Sequence, residues 1–459
     1  MVLKFFLVAC FLFLMCITIT AQPPKKAAMQ TTILQQTAKP KLVVDIVIDQ
    51  MRWGYLYRFN HLYRNNGFKR LIAEGFNCDN TLIPYTPTYT APGHTCIYTG
   101  KVPAIHGIVG NFWFDKSRNA NVYCTDDSTV STVGNISDAG KMSPENMWAT
   151  TITDELRLSN NFKSKVIGLA LKDRGAILPA GHSANAAYWY DDKGGKWISS
   201  TYYMKDVPAW VKDFNAKDMV ATYMSKDWNT LLPIAQYDLS TSDNEPYENA
   251  IAGETTVTFP HKLSAITTGK YSSFRTTPFA NTFTFDFAKQ AIENEKLGSN
   301  TVPDFLTVSI SSTDYIGHSF GPNSIEEDTY LSLDKDIADF LTYLDQKLGK
   351  GNYLVFLTAN HGVANVPGFL AEHKIPVGTV SDTEIAKEIN DAVEASSAIK
   401  NIVQSLQNYQ VYLNFTEIEK QGKDKATIVN TVIKTLQQKS FIVNLFEINK
   451  LMQAVIPEP

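Results

Sequence analysis

Residue types that bind metal ions follow three apolar segments of this sequence. Asp49 closes the first segment, and Asp314 and His318 follow a later one. Asn360 and His361 follow the last. Each of them alone is more often a turn or capping residue than a ligand. Their recurrence at three segment ends nevertheless predicts a shared metal site, because short apolar segments of this kind are typical of buried strands.

The residue types in this set favour zinc. Imidazole nitrogen and carboxylate oxygen are both common zinc ligands. The spacing of Asp314 and His318 places both side chains on the same side of one helical turn. Two separate ligand groups predict two metal ions, and a pair of ions a few ångströms apart can clamp the entering and leaving oxygens of a phosphoryl transfer.

A threonine at a predicted helix start is a candidate nucleophile. Thr90 directly precedes Ala91-Pro92, and proline is favoured in the first turn of a helix. Thr90 is therefore placed like an N-cap residue, and a purely capping role is one interpretation. The other is catalytic, since a hydroxyl beside a helix N-terminus and a zinc ion has a lowered pKa and can act as a nucleophile.

The segments that position these residues alternate with helices. Four apolar, β-branched runs are predicted strands: 41–49, 165–171, 305–310 and 353–358. Helices are predicted at 68–74, 144–158, 283–295, 324–348 and 385–392. This alternation predicts an α/β fold, with a mostly parallel central sheet flanked by helices on both faces. Ligands bind beyond the carboxyl ends of the strands in such sheets.

The N-terminal residues and the remaining segments predict how the chain divides into a signal peptide, a linker and a domain. Residues 1–21 carry an early lysine and then an apolar run, which is typical of a signal peptide and predicts a periplasmic or secreted protein. A membrane anchor is the alternative, but the run is shorter than the roughly 20 residues that span a bilayer. Residues 22–40 are a predicted linker and 41–459 a single catalytic domain, in which 175–270 is a predicted cap insertion.

Composition excludes several classes of partner. The 42 Lys and Arg residues nearly balance the 46 Asp and Glu residues, for a net charge of −4. This argues against a protein that binds nucleic acid or a membrane surface, so we expect a small-molecule substrate. Cys78, Cys96 and Cys124 follow the predicted signal peptide, and an odd number allows at most one disulfide within the chain.

Six motifs resemble those of one enzyme family. They are Asp49 at a strand end, Thr-Ala-Pro-Gly-His at 90–94, Ala-Ile-His-Gly-Ile-Val-Gly-Asn at 104–111, Leu-Lys-Asp-Arg at 171–174, Ser-Thr-Asp-Tyr-Ile-Gly-His at 312–318 and Ala-Asn-His-Gly at 359–362. In this order and spacing they resemble the PafA-type alkaline phosphatases. That group lies within the alkaline phosphatase superfamily and is related to the type I phosphodiesterase/nucleotide pyrophosphatases.

The resemblance implies a role for each residue. Thr90 would attack phosphorus and carry the phosphoryl group. Asp49, Thr90, Asn360 and His361 would hold one zinc ion. Asp314 and His318 would hold the other. The resemblance also assigns three residues to the non-bridging phosphate oxygens, namely Asn111, Lys172 and Arg174.

The basic pair decides the expected substrate class. Lys172 and Arg174 add charge-assisted hydrogen bonds to a terminal phosphoryl group, which a diester cannot use equally. The expected activity is therefore hydrolysis of phosphate monoesters with broad specificity, although the same Lys-Asp-Arg sequence is also typical of a solvated charged turn. A sulfatase is disfavoured, because no Cys-x-Pro-x-Arg motif occurs.

The chain departs from the family pattern at two points. Asn360 stands where the family has Asp, and a neutral amide oxygen can ligate a metal ion but should bind zinc more weakly. The family also supplies a further zinc-binding His from a segment beyond Pro459, so we predict a truncated C-terminus. Two hypotheses remain open: an active two-zinc phosphatase, or a metal-deficient relative that is weakly active or only binds phosphate.

Overall fold

A seven-stranded sheet forms the centre of the structure, a computed structural model that describes residues 39–453. The predicted signal peptide, 1–21, and nearly all of the predicted linker lie outside these residues. The strand bounds are β1 Leu42–Ile48, β2 Phe112–Asp115, β3 Ala120–Tyr123, β4 Thr132–Val133, β5 Val166–Ala170, β6 Ala186–Asp191, β7 Lys196–Ser200, β8 Asp304–Ile310, β9 Tyr353–Thr358, β10 Val403–Gln407 and β11 Gln410–Leu413. The sheet order is β4-β7-β6-β5-β8-β1-β9.

The four predicted strands are confirmed as neighbours in this sheet. They are β5, β8, β1 and β9, and every pairing among them is parallel. Alternate side chains of β1 face two different layers: Val44 and Ile46 belong to the core cluster that contains Phe285 and Leu333, while Val47 packs in the cluster around Tyr98. The predicted α/β fold, with a mostly parallel sheet between helical layers, is therefore confirmed.

Helices connect and cover the strands. Their bounds are α1 Tyr55–Arg58, α2 Phe68–Glu74, α3 Thr90–Thr99, α4 Pro103–His106, α5 Ile152–Ser159, α6 Asp173–Ala180, α7 Ala209–Ala216, α8 Met219–Tyr223, α9 Lys270–Ser273, α10 Phe279–Glu295, α11 Ser312–Phe320, α12 Asp328–Leu348, α13 Pro367–Glu372, α14 Asp382–Ser397, α15 Phe415–Lys420 and α16 Lys425–Gln437. Most predicted helices are present, but 144–158 is helical only from Ile152. A capping box of Thr151 and Asp154 fixes that later start, since it satisfies the first backbone N–H groups of the helix.

The predicted cap region, 175–270, contains two kinds of structure. Its first part includes α6 and also β6 and β7, which extend the sheet. Residues 201–270 contribute short helices and loops. Within them, the ring nitrogens of buried His261 lie 2.9 Å from the Glu254 carboxylate and 3.4 Å from the Glu326 carboxylate. Burial opposes the charge on this ring, but the two glutamates raise its pKa to about 9.

The C-terminal part has a small core of its own. Its buried side chains come from α14, α15, α16 and the connecting loops. The β10–β11 hairpin packs against the β2–β3 hairpin, where the Tyr412 and Phe114 rings lie 5.0 Å apart. Asn408, at the hairpin tip, donates to the Phe112 carbonyl at 2.8 Å.

Across residues 39–453 no helix is long and apolar enough to cross a membrane, and Cys78, Cys96 and Cys124 are free thiols.

Candidate active site

Three buried side chains with metal-binding atoms meet at the carboxyl edge of the sheet. Asp49 follows β1, Asp314 lies in the first turn of α11 after β8, and His361 follows β9. One ligand atom from each lies within 4.8 Å of the other two. Because β8, β1 and β9 are adjacent and parallel, the residues that follow their carboxyl ends lie close together. His318 extends the set, with Nε2 3.3 Å from Asp314 Oδ1 and a mostly exposed side chain.

Lys172 lies between the two carboxylates. It follows β5 and precedes α6, and its ammonium donates to Asp49 Oδ2 at 2.7 Å and to Asp314 Oδ2. Burial would raise the pKa of Asp49, but Lys172 and His361 outweigh burial and hold that pKa well below its ordinary value. Burial and the Asp49 charge would likewise raise the pKa of Asp314, yet Lys172 and His318 keep it lowered. Both carboxylates are therefore ionised at neutral pH.

The donor set suits a divalent metal such as zinc. His361 Nε2 lies 3.1 Å from Asp49 Oδ1, so imidazole nitrogen and carboxylate oxygen converge. Two carboxylates and two imidazoles are a normal combination for zinc. The place between Asp49 and Asp314 already attracts a cation, since the Lys172 ammonium lies there. These residues therefore fit a divalent metal ion of the kind that the sequence predicts.

Asn360 lies beside Asp49, with its amide oxygen turned to the backbone. Its Oδ1 accepts from the Gln50 N–H at 3.2 Å and from the His361 N–H at 3.0 Å. Its Nδ2 donates to Asp49 Oδ1 at 2.8 Å and lies 3.3 Å from His94 Nδ1. The amide nitrogen of Asn360 thus faces the ligand set, while its assignment as a ligand stays a prediction.

Thr90 is the first residue of α3 and is buried at this edge. The N-cap position belongs to Tyr89, so the structure does not place Thr90 as the cap. His94, one turn later, donates from Nδ1 to the Thr90 carbonyl at 2.8 Å, and its Nε2 accepts from the Ser309 hydroxyl at 2.8 Å. Burial lowers the pKa of His94 to about 4, which keeps the ring neutral and suited to both bonds.

Gly93 allows α3 to approach the last strand end closely. A Cβ atom at this position would lie 2.3 Å from the Asn360 carbonyl oxygen, which is far inside van der Waals contact. Any larger residue here would push α3 away from the loop that carries Asn360 and His361. The glycine in the motif at 90–94 therefore sets the distance between Thr90 and the ligand set.

Two of the predicted phosphate-binding residues, Asn111 and Arg174, are held by hydrogen bonds. Asn111 Oδ1 accepts from the Ala91 N–H at 2.9 Å, which leaves the amide nitrogen of Asn111 as its donor. Arg174 lies in the first turn of α6, and its Nη1 donates to the Tyr123 hydroxyl at 2.9 Å. Tyr123 donates to Asp173 at 2.8 Å, so a chain of hydrogen bonds orients the guanidinium. The assignment of Asn111, Lys172 and Arg174 to phosphate binding stays a prediction.

Two residues of the site escaped the sequence analysis. Gln50 Nε2 donates to Asp314 Oδ1 at 2.9 Å, and Gln50 has a φ of 67°, an unusual conformation that often marks a functional site. The ring centroid of Tyr315 lies 4.9 Å from the Lys172 ammonium and 4.8 Å from the Arg275 guanidinium. The sequence could have indicated these two residues only by their neighbours, since Gln50 follows Asp49 and Tyr315 follows Asp314.

Comparisons with known proteins match nearly the whole chain. The family model described as type I phosphodiesterase / nucleotide pyrophosphatase matches residues 43–446. A Myroides odoratus protein named calcium-transporting ATPase is 51% identical over 428 residues, or 92% of this chain and 78% of that protein. Alkaline phosphatase PhoV of Synechococcus elongatus is 51% identical over 447 residues, or 97% of this chain and 80% of that protein.

A solved crystal structure is similar over most of this chain. The crystal structure of wild-type alkaline phosphatase PafA is 47% identical, covers 92% of this chain and 81% of its own, and has a TM-score of 0.89. The residues matched by the family model include the carboxyl end of every strand that leads to the candidate site.

Proposed function

Because the chain belongs to the PafA-type alkaline phosphatases of the type I phosphodiesterase/nucleotide pyrophosphatase family, we propose that it hydrolyses phosphate monoesters through a phosphothreonine at Thr90. The observation that supports this most directly is the placement of Thr90. Thr90 starts α3, and this helix lies close to Asn360 at Gly93. Asn360 in turn donates to Asp49, which belongs to the buried set with His361. The Thr90 hydroxyl would then lie both at a helix N-terminus and near a cation site, and each of these favours its ionised form.

The proposed metal set has two parts. Asp49 and His361, with Thr90, would hold one zinc ion, and Asp314 and His318 would hold the second. Zinc bound at these residues would supply positive charge that lowers the pKa of the Thr90 hydroxyl and stabilises negative charge on the leaving oxygen. His94 supports this arrangement from α3, because its hydrogen bond to the Thr90 carbonyl fixes the first turn of the helix.

The reaction divides into two displacements at phosphorus. In the first, Thr90 Oγ1 forms a bond to phosphorus as the bond to the ester oxygen breaks, and the alcohol leaves with a proton. In the second, water attacks the phosphothreonine, which releases inorganic phosphate and restores the Thr90 hydroxyl. Asn111, Lys172 and Arg174 would hold the non-bridging oxygens through both steps, and donors fixed in advance lower the barrier electrostatically.

These three groups also carry the proposed specificity. A monoester has a terminal phosphoryl group with about two negative charges, and Lys172 and Arg174 can pair with oxygens that a diester would have esterified. Recognition centred on the phosphoryl group discriminates little between different alcohol groups, so we propose broad specificity for small phosphate monoesters. Export to the periplasm or the medium remains a proposal that depends on residues 1–21.

A phosphodiesterase is the second candidate, because the matching family model carries that description. Relative rates separate the two functions. The purified protein is assayed with p-nitrophenyl phosphate and bis(p-nitrophenyl) phosphate, and a phosphomonoesterase should have the higher kcat/KM for the first. A higher kcat/KM for the diester would favour the second candidate.

The nucleophile is tested by Thr90→Ala. Turnover of p-nitrophenyl phosphate should fall by several orders of magnitude, and acid-quenched wild-type protein should carry a phosphoryl group on the peptide that contains Thr90. Thr99→Ala is the matched control, because Thr99 lies at the other end of α3, where its hydroxyl donates to the Thr95 carbonyl at 2.6 Å and accepts from the Lys101 N–H at 3.2 Å. If Thr90→Ala kept activity within about tenfold, a barrier difference of about 1.4 kcal/mol, the covalent mechanism would be wrong.

A further inference from the structure

The orientation of the Asn360 amide changes the expected ligand set beside Thr90. We infer that Asn360 is a hydrogen-bond donor to Asp49 and not a metal ligand, so that the metal position beside Thr90 depends on Asp49, His361 and Thr90 alone. This inference rests on the proposed function, because it concerns the metal position assigned there. It makes that position a weak one, whose occupancy follows the free concentration of zinc.

Two backbone donors hold the amide oxygen. The Gln50 N–H lies 3.2 Å and the His361 N–H 3.0 Å from Asn360 Oδ1, and Asn360 itself is buried. A buried N–H group that loses its acceptor costs about 1–3 kcal/mol. Turning the oxygen toward the ligand set would expose both N–H groups to the amide nitrogen, which is itself a donor.

The amide nitrogen has its own partner. Asn360 Nδ2 lies 2.8 Å from Asp49 Oδ1, and a carboxylate paired with the Lys172 ammonium accepts hydrogen bonds but donates none. An oxygen in that place would face a carboxylate oxygen at the same distance, which is repulsive. A turned amide would place its oxygen near His94 Nδ1, 3.3 Å away, where it could accept a hydrogen bond. That N–H, however, already donates to the Thr90 carbonyl. Three hydrogen bonds therefore fix one orientation.

This orientation weakens the metal position in two ways. The hydrogens of the Asn360 amide carry partial positive charge and point at Asp49 Oδ1, the same oxygen that lies 3.1 Å from His361 Nε2. They compete with a cation for that oxygen and repel the cation itself. A carboxylate at this position could keep one oxygen on both backbone N–H groups and turn the other toward the ligand set, which adds a ligand and a negative charge.

Zinc binding to variants of the purified full-length protein tests the inference without using turnover. Competition with a chromophoric chelator gives zinc dissociation constants for wild type, Asn360→Ala and Asn360→Asp. We expect Asn360→Ala to bind zinc as tightly as wild type within threefold, or more tightly. We expect Asn360→Asp to bind at the weaker position about 10 to 100-fold more tightly. His361→Ala is the matched control and should lose tenfold or more.

The outcomes separate the inference from the proposed function. If Asn360→Ala binds zinc more than threefold more weakly than wild type, Asn360 ligates the metal and the inference fails, although an inactive Thr90→Ala would still support the nucleophile. If His361→Ala binds zinc like wild type, the metal assignment fails and the inference with it. Asn360→Ala removes the acceptor of two N–H groups, so thermal melts check folding. Should it not fold, Asn360→Asp decides alone, and unchanged zinc affinity in that variant overturns the inference.

Discussion

Replacing Lys172 by alanine should destabilise the metal-free protein far more than the zinc-loaded protein. In the structure the Lys172 ammonium bonds both Asp49 and Asp314. The lysine side chain is 2% exposed, and the carboxylates are 0% and 7% exposed. The substitution leaves two ionised carboxylates facing each other in a buried site. Their remaining partners are Gln50, His318, Asn360 and His361.

The magnitude follows from the burial of all three groups. Removing one partner of a buried ion pair costs about 3–5 kcal/mol, because the other charge is left without compensation. At about 2.1 cal/mol/K of unfolding entropy per residue, a chain of 459 residues loses roughly 1 °C in Tm per kcal/mol. The metal-free variant should therefore melt about 3–5 °C below wild type. Zinc restores positive charge beside both carboxylates, so the difference should shrink with added zinc.

Thermal melts in chelator and in excess zinc measure both effects. Lys335→Ala is a matched control, since Lys335 pairs with Asp339 at 3.2 Å on the surface, where both side chains are about half exposed. Such a pair contributes about 1 kcal/mol or less, so that variant should melt within about 1 °C of wild type with or without zinc. A Lys172→Ala protein that melted like wild type in chelator, or whose deficit did not shrink in zinc, would refute the reasoning.

Two further predictions concern specificity and pH. Arg174→Ala should lower kcat/KM for p-nitrophenyl phosphate by at least about 100-fold and that for bis(p-nitrophenyl) phosphate much less, and equal losses on the two substrates would contradict the proposed role of the guanidinium. His261 has a folded-state pKa of about 9, above the ordinary value near 6.5. Its ion pairs with the two flanking glutamates therefore stabilise the protein fully below about pH 6.5, and that contribution is lost as the pH rises through 9. Wild-type Tm should fall more steeply between pH 7 and 10 than the Tm of His261→Gln, whereas parallel slopes would show that this histidine does not carry the effect.

The strands that carry the site were predictable from the sequence. Continuous β-branched runs predict β1, β5, β8 and β9. Parallel pairing of these strands then places their carboxyl ends at one edge of the sheet. The residues after these runs, such as Asp49 and Asp314, were therefore identified from position alone. β6 and β7 were missed, because their aromatic and polar composition on either side of the Asp-Asp-Lys-Gly-Gly turn at 191–195 resembles a loop region more than a buried strand.

The hydrogen bonds within the site were not predictable. Asn360 contacts Asp49 across 311 positions of sequence, and Lys172 contacts Asp49 across 123. No local pattern determines which end of an amide meets a carboxylate so far away in the chain. The sequence identified Asn360 as neutral where the family has a charge, but the direction of its dipole depends on the N–H groups of Gln50 and His361 in the folded state.

The position of β1 in the sheet has a consequence for how the protein acquires its structure. β1 is the first strand in the described part of the chain, yet its partners are β8 and β9, which lie more than 250 residues further along. A ribosome releases the earliest strand long before either partner exists, and long-range pairing of this kind slows folding. The most apolar strand must therefore remain unpaired while most of the chain is made. Thr90 and Asp49 can come into register with His361 only after β9 has been made, so a metal ion held by all three cannot guide the earliest stage of folding.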